Sequence, residues 1–153
     1  MRLADLLIKE NIIPELEAGD KNGVLEELAG AIAGHDPSIE KNALVKVLLD
    51  RERLGSTGIG EGIAIPHGKF SGIHQPIISF GRSRKGLDFE AMDGGLVYLF
   101  FLLVAPENSA SIHLQVLAKI AKILKNIALR EALLEAPGRS EIYRIIVQND
   151  EEF

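Results

Sequence analysis

From Lys21 to Ala33 the apolar residues Val24, Leu25, Leu28, Ala29 and Ile32 recur at helical spacing, with Asp20 placed to cap the start and Gly34 to stop the end. Asp36-Pro37 predicts the opening of a second helix, with Asp36 as N-cap, Pro37 in the first turn, and Ile39, Ala43, Leu44, Val47 and Leu48 on the buried face. That helix is expected to end near Asp50–Leu54. Before both, ADLLIKE predicts a helical turn and Ile12–Pro14 a short strand. Further on, the period shortens. Ile63–Pro66, Pro76–Arg84 and Leu87–Phe89 predict strand segments, and Leu96–Val104 is apolar throughout, as expected of a strand buried on both faces. Beyond Pro106 a long helix is expected over Ser109–Lys125. Leu114, Leu117, Ala118, Ala121 and Leu124 would form its apolar face, with Gln115, Lys119, Lys122 and Asn126 opposite. Helices over Ile127–Glu135 and Ser140–Gln148 and a frayed acidic tail from Asn149 to Phe153 complete the chain. Helices first, strands in the middle and helices last imply a mixed sheet with helices packed on it.

Composition narrows this picture. With 153 residues, 46% hydrophobic and 25% charged, the chain is expected to be one domain, spanning 1–153. The net charge of −5 argues against general nucleic-acid binding. The absence of cysteine excludes disulfides, thiolate catalysis and Cys-ligated zinc. Asp5, Lys9 and Glu10 interrupt any leader-like apolar run, and Leu96–Ala105 is about half the length a membrane-spanning helix needs. A cytoplasmic protein without membrane insertion is expected.

The stretch Gly55–Lys69, GSTGIGEGIAIPHGK, concentrates five glycines around a single histidine. It is not a P-loop, because Gly68-Lys69 is followed by Phe70 rather than Ser or Thr. Nor is it a dinucleotide fingerprint, because Gly58-Ile59-Gly60-Glu61-Gly62 has the wrong spacing and leads into β-favouring residues. A glycine-rich loop with free N–H groups can bind anions. Ser56 and Thr57 would add hydroxyl donors, and Arg51 and Arg53 fixed charge suited to phosphate. Pro66 stiffens the backbone beside His67. A neutral imidazole among anion donors suits nucleophilic attack on a phosphoryl group. The alternative is that the glycines only make turns and His67 is a loop histidine. His35 and His74 are taken as surface residues, and no ligand spacing supports a His67–His74–His113 metal site.

The stretch Arg51–Lys69, RERLGSTGIGEGIAIPHGK, resembles the signature of the fructose/mannitol/nitrogen-type EIIA domains of the bacterial phosphoenolpyruvate-dependent phosphotransferase system. Leu87–Asp93 and Leu96–Lys122 are similar to the stretches that precede and form the family's central strand, loop and second-histidine helix, so the likeness covers most of the chain. It implies a three-layer α/β/α fold with a mixed sheet. It implies phosphorylation of His67 at Nε2, with His113 as the second active-site histidine and Arg51 as the arginine sixteen residues upstream. Ser56 and Thr57 are expected to help bind the phosphoryl oxygens, and neither metal nor cofactor is expected. The donor implied is HPr or a nitrogen-type paralogue. The group would pass to an EIIB domain in the sugar-transport type, or serve to regulate target proteins in the nitrogen type, which the GIAIPHGK wording favours. The surface about His67 should be partly apolar, with Ile59, Ile63, Phe70 and Ile73 as candidates. Two further readings are a binding module that retains only the fold, and a histidine-based hydrolase using Glu61 or Asp93.

Overall fold

The computed structural model describes residues 2–150. A 3-10 turn at Leu3–Asp5 leads into β1 (Leu7–Ile13). Helices α1 (Lys21–His35) and α2 (Lys41–Glu52) follow, then the short strands β2 (Gly58–Gly60), β3 (Ile63–Ala64) and β4 (His67–Phe70). Long strands β5 (Ile77–Leu87) and β6 (Val97–Pro106) precede α3 (Ala110–Leu124), α4 (Ile127–Glu135) and α5 (Arg139–Gln148).

The six strands form one mixed sheet ordered β1-β5-β6-β3-β2, with β4 also paired to β6. β5 and β6 are antiparallel, whereas β1 lies parallel to β5, and β3 and β4 lie parallel to β6. The unbroken apolar run of β6 has a simple cause: both of its faces are covered. Leu99, Phe101 and Leu103 pack with Val116 and Ile120 of α3, Leu133 of α4 and Ile142 of α5. Phe100, Leu102 and Val104 pack on the other side with Leu25 and Leu28 of α1 and Leu44 and Leu48 of α2. The result is the expected α/β/α sandwich. Arg82 on β5 is only 1% exposed and joins two regions of the chain. It donates to the carbonyls of Pro14, Leu133 and Ala136, the last two at the C-terminal end of α4, where a cation complements the helix dipole.

Several local expectations give way to tertiary pairing. LIKE is strand, not helix, because Leu7 pairs with Ile78 of β5. Asp20 caps α1 as expected, accepting from Gly23 N at 2.7 Å, but the helix runs through Gly34 to His35. Asp36 does not start α2. It accepts from Ser38 N and Oγ in a tight turn that buries Ile39, and Glu40 caps the helix instead. Leu87–Phe89 is no separate strand, since β5 continues to Leu87 across an irregularity in its pairing.

α3 is rotated from the face its apolar residues suggested: Leu124 is buried and Leu117 and Ala121 pack against the core as expected, but Leu114 and Ala118 face outward. Leu114 is 65% exposed, while His113, Val116, Lys119, Ile120 and Ile123 face inward. This helix has apolar residues on more than one stripe, so periodicity alone did not fix its rotation. Lys119 is carried inside because Asp150 lies 2.9 Å away, itself buried and accepting from Ala4 N. That pair also orders the chain through Asp150. Of the tail expected to fray, 151–153 lie outside the described residues.

Candidate functional site

Three elements bring the candidate histidines and arginine together. Arg51 lies in the last turn of α2, His67 begins β4, and His113 sits in the first turns of α3. β4 is held in place because Leu103 N donates to Pro66 O at 2.9 Å and His67 stands in register with Leu103. Gly68 lets the strand lie close under α2: a Cβ there would come within 2.7 Å of Val47 Cγ1.

The His67 ring is half-buried, and its Nδ1 lies 2.8 Å from Ile65 O. A carbonyl only accepts, so Nδ1 carries the ring proton and Nε2 keeps its lone pair. Arg51 Nε donates toward that lone pair at 3.3 Å, and Arg51 Nη1 donates to Gly55 O at 3.0 Å. The His113 ring stands edge-on to His67, with centroids 5.2 Å apart. His113 Nδ1 is buried without a hydrogen-bond partner among the described residues. An orphaned buried N–H is rarer than an under-used acceptor, which assigns the His113 proton to Nε2.

Both rings are held below the usual histidine range. For His67, burial is the main cause and Arg51 adds to it, against the opposing pull of the Ile65 carbonyl and Glu52. For His113, burial again leads, followed by the charges of His67 and Lys69. The site therefore holds two neutral imidazoles beside a permanent cation at neutral pH.

The three residues line a cavity of about 550 Å³, together with Lys69, Ala110 and the apolar side chains of Leu54 and Leu114. Ala110 opens α3, whose first N–H groups lack intrahelical partners and favour an anion. Lys69 and Leu54 were not singled out from the sequence as site residues, and Leu114 was named only for the apolar face of its helix. Leu54 is 84% exposed and Leu114 65%. A leucine isolated between Arg53 and Gly55 was the available signal. Of the apolar candidates for the surrounding surface, Ile63 and Ile73 are core, Phe70 packs against the core and Ile59 is exposed but does not line the cavity.

Ser56 and Thr57 do not enter this cavity. Ser56 Oγ donates to Phe89 O at 2.8 Å and accepts from Gly58 N. Thr57 donates through N and Oγ1 to the carboxylate of Glu52. Both hydroxyls, expected to help bind the phosphoryl oxygens, are bonded in this structure to the loop's own scaffold. The glycines are likewise largely structural. Gly60 and Gly62 take φ of 99° and 80° in the turn between β2 and β3, and Gly58 lies against Ala91, where a Cβ would come within 2.9 Å of Cα. Glu61 joins that turn with φ 57°, its N–H held by Asp93. Neither acid lines the cavity. Among the described residues no group of three or more His, Asp or Glu is placed to hold a metal, and no helix is long and apolar enough to cross a membrane.

The sequence and the fold have counterparts in known proteins. A family model described as "Phosphoenolpyruvate-dependent sugar phosphotransferase system, EIIA 2" matches residues 5–149. A nitrogen regulatory protein of Bradyrhizobium diazoefficiens is 39% identical over 146 residues, 95% of each chain. The fructose-specific EIIABC component of Bacillus subtilis is 37% identical over 98% of this chain, which spans only 24% of that longer relative. The crystal structure of the nitrogen regulatory protein IIA-Ntr from Neisseria meningitidis superimposes with a TM-score of 0.88 at 35% identity, covering 94% of this chain and 98% of the other. With nearly the whole chain inside the family model, and a fold to match, the protein belongs to the EIIA 2 family of the phosphoenolpyruvate-dependent sugar phosphotransferase system.

Proposed function

We propose that the protein is a phosphoryl carrier in which His67 Nε2 accepts the group from a phosphohistidine of HPr or a nitrogen-type HPr paralogue. The observation that carries this is the fixed tautomer of His67: Ile65 O holds the proton on Nδ1, leaving the Nε2 lone pair beside Arg51. In the transfer the donor's N–P bond breaks as the Nε2–P bond forms. The electron pair returns to the donor imidazole, and the proton stays on His67 Nδ1, hydrogen-bonded to the Ile65 carbonyl. Such a loose transition state asks the protein mainly for position and charge. Arg51 exchanges its contact with the lone pair for contacts with the phosphoryl oxygens. His113 Nε2–H, Lys69 and the start of α3 supply further positive potential. The apolar rim of Leu54 and Leu114 seats the partner protein.

The nitrogen-regulatory use is favoured by likeness along 95% of the Bradyrhizobium protein and 98% of the Neisseria chain. Transfer onward to an EIIB domain is the second reading, supported by 37% identity to a component whose name joins EIIA with B and C. Either use places the protein in the cytoplasm as a phosphotransferase, with residues 1–153 as one domain.

Intact-mass measurement after incubation with phosphoenolpyruvate, enzyme I and HPr tests the proposal. The expected result is one acid-labile phosphoryl group, absent from His67→Ala and acquired more slowly by His113→Ala. No gain, while a known EIIA is labelled in the same tube, would refute it for that carrier, and failure with the nitrogen-type paralogue as well would leave the binding-module reading.

A further inference from the structure

We infer that Glu52, clamped between Lys21 and Thr57, is a positioning residue that sets the approach of Arg51 to His67. The inference rests on the phosphocarrier reading for its kinetic consequence, but its geometric content stands on its own.

Glu52 is 7% exposed, in the last turn of α2. A carboxylate at the negative end of a helix is what helix stability alone disfavours. A buried ion pair is also weak as a source of net stability. Yet every contact of this carboxylate is occupied. Oε1 meets Lys21 Nζ at 2.9 Å and accepts from Thr57 N at 3.1 Å, and Oε2 accepts from Thr57 Oγ1. Lys21 begins α1 and lies over the Phe89 ring at 4.9 Å, while Ser56 bonds Phe89 O. The loop after α2 is thereby tied at Ser56 and Thr57 to two other parts of the fold.

That loop controls Arg51. Its Gly55 N donates to Glu52 O, and its Gly55 carbonyl accepts from Arg51 Nη1 at 3.0 Å. Gly55 thus fixes one end of the guanidinium whose Nε faces His67 Nε2 at 3.3 Å. If the Glu52 anchor is removed, the Gly55 carbonyl loses its fixed position and Arg51 loses its aim, although neither Lys21 nor Thr57 bonds the histidines and Glu52 reaches His67 only through its charge. This gives the Glu52, Ser56 and Thr57 positions of the glycine-rich motif a role that does not require contact with the phosphoryl group.

The test is a double-variant cycle in single-turnover transfer from phosphorylated HPr. Glu52→Gln is expected to slow transfer about tenfold, the size expected for loss of one charge-assisted hydrogen bond. Glu52→Gln with Arg51→Ala should be no slower than Arg51→Ala alone, because the first acts through the second. Independent, multiplying effects would overturn the inference. If Glu52→Gln does not fold, Thr57→Val is run in the same cycle under the same criterion. A second readout needs no transfer. The 15N resonance of His67 Nε2 in the unphosphorylated protein should move in Thr57→Val, which loosens the clamp but keeps the Glu52 charge, in the direction that Arg51→Ala moves it, and an unchanged resonance overturns the inference. If the wild-type protein accepts no phosphoryl group, the phosphocarrier reading fails, and the resonance alone decides the role of Glu52.

Discussion

Gly68→Ala adds one methyl group where the structure has least room for it. The new Cβ would lie 2.7 Å from Val47 Cγ1, whereas carbon atoms pack at about 3.5–4.0 Å, so roughly 1 Å must be found. β4 cannot easily supply it, because Gly68 stands opposite Val104 in the central sheet. Nor can Val47 rotate freely, since a β-branched side chain in a helix strongly prefers one rotamer. The displacement therefore falls on α2. Overpacking of this kind destabilises by about 1–3 kcal/mol. Reduced freedom of the unfolded chain returns about 0.4–1 kcal/mol, leaving a net loss of about 1–2 kcal/mol. For a chain of this size that lowers Tm by roughly 2–8 °C. The kinetic effect is larger. Arg51 is one turn beyond Val47, and its contact with His67 at 3.3 Å has little slack. A misplacement of about 1 Å can lower a rate by about a hundredfold. Thermal unfolding and quench-flow transfer from phosphorylated HPr measure the two effects. Adding Val47→Ala should restore much of the rate by vacating the contact. A Gly68→Ala protein with wild-type rate and Tm, or a double variant as slow as the single, would refute the reasoning.

Other consequences can be measured separately. Since His67 and His113 titrate below the ordinary 6.5, transfer should hold its rate to lower pH than a free imidazole would allow and fall only as pH drops through the folded-state values. The same depression links to stability: the contribution is complete above the unfolded value of about 6.5 and is lost as pH falls through the folded ones, which NMR titration and melts from pH 7.5 to 5 will show. Arg82→Met strips the donor from the carbonyls of Pro14, Leu133 and Ala136, and at about 1 kcal/mol each should lower Tm by roughly 6–12 °C in calorimetry. Leu54→Ser and Leu114→Ser should each raise the KM for the donor protein about fivefold, with kcat little changed, because their exposed side chains contribute to docking rather than to the transfer.

What the sequence revealed and what it concealed have different physical origins. The double burial of β6 was legible because ten residues without a charge leave few alternatives, and Asp20 was legible because N-capping is a local interaction. His67, His113 and Arg51 came together as the resemblance implied. The rotation of α3 depended on a buried Lys119–Asp150 pair formed across 31 positions, which no local period records. β2 and β4 were missed because three- and four-residue strands exist only through their partners. The partners of Ser56 and Thr57 were hidden for a related reason. Their hydroxyls suit an anion, but Phe89 O and Glu52 were nearer once the chain had folded.

The turn formed by Gly60, Glu61 and Gly62 bears on how the protein keeps its associations selective. A sheet that ends in a long, flat, apolar strand invites other chains to add to it. Here one margin is shared by β2, three residues long and two of them glycine, and the four-residue β4, which carries Gly68 and Lys69, and the other is β1, whose exposed Lys9 and Glu10 and irregular pairing make it a poor template. With both margins blunted, the chain can leave Leu54 and Leu114 bare at the mouth of the His67 cavity and still resist edge-to-edge aggregation. Contact is channelled to the face where the chemistry occurs.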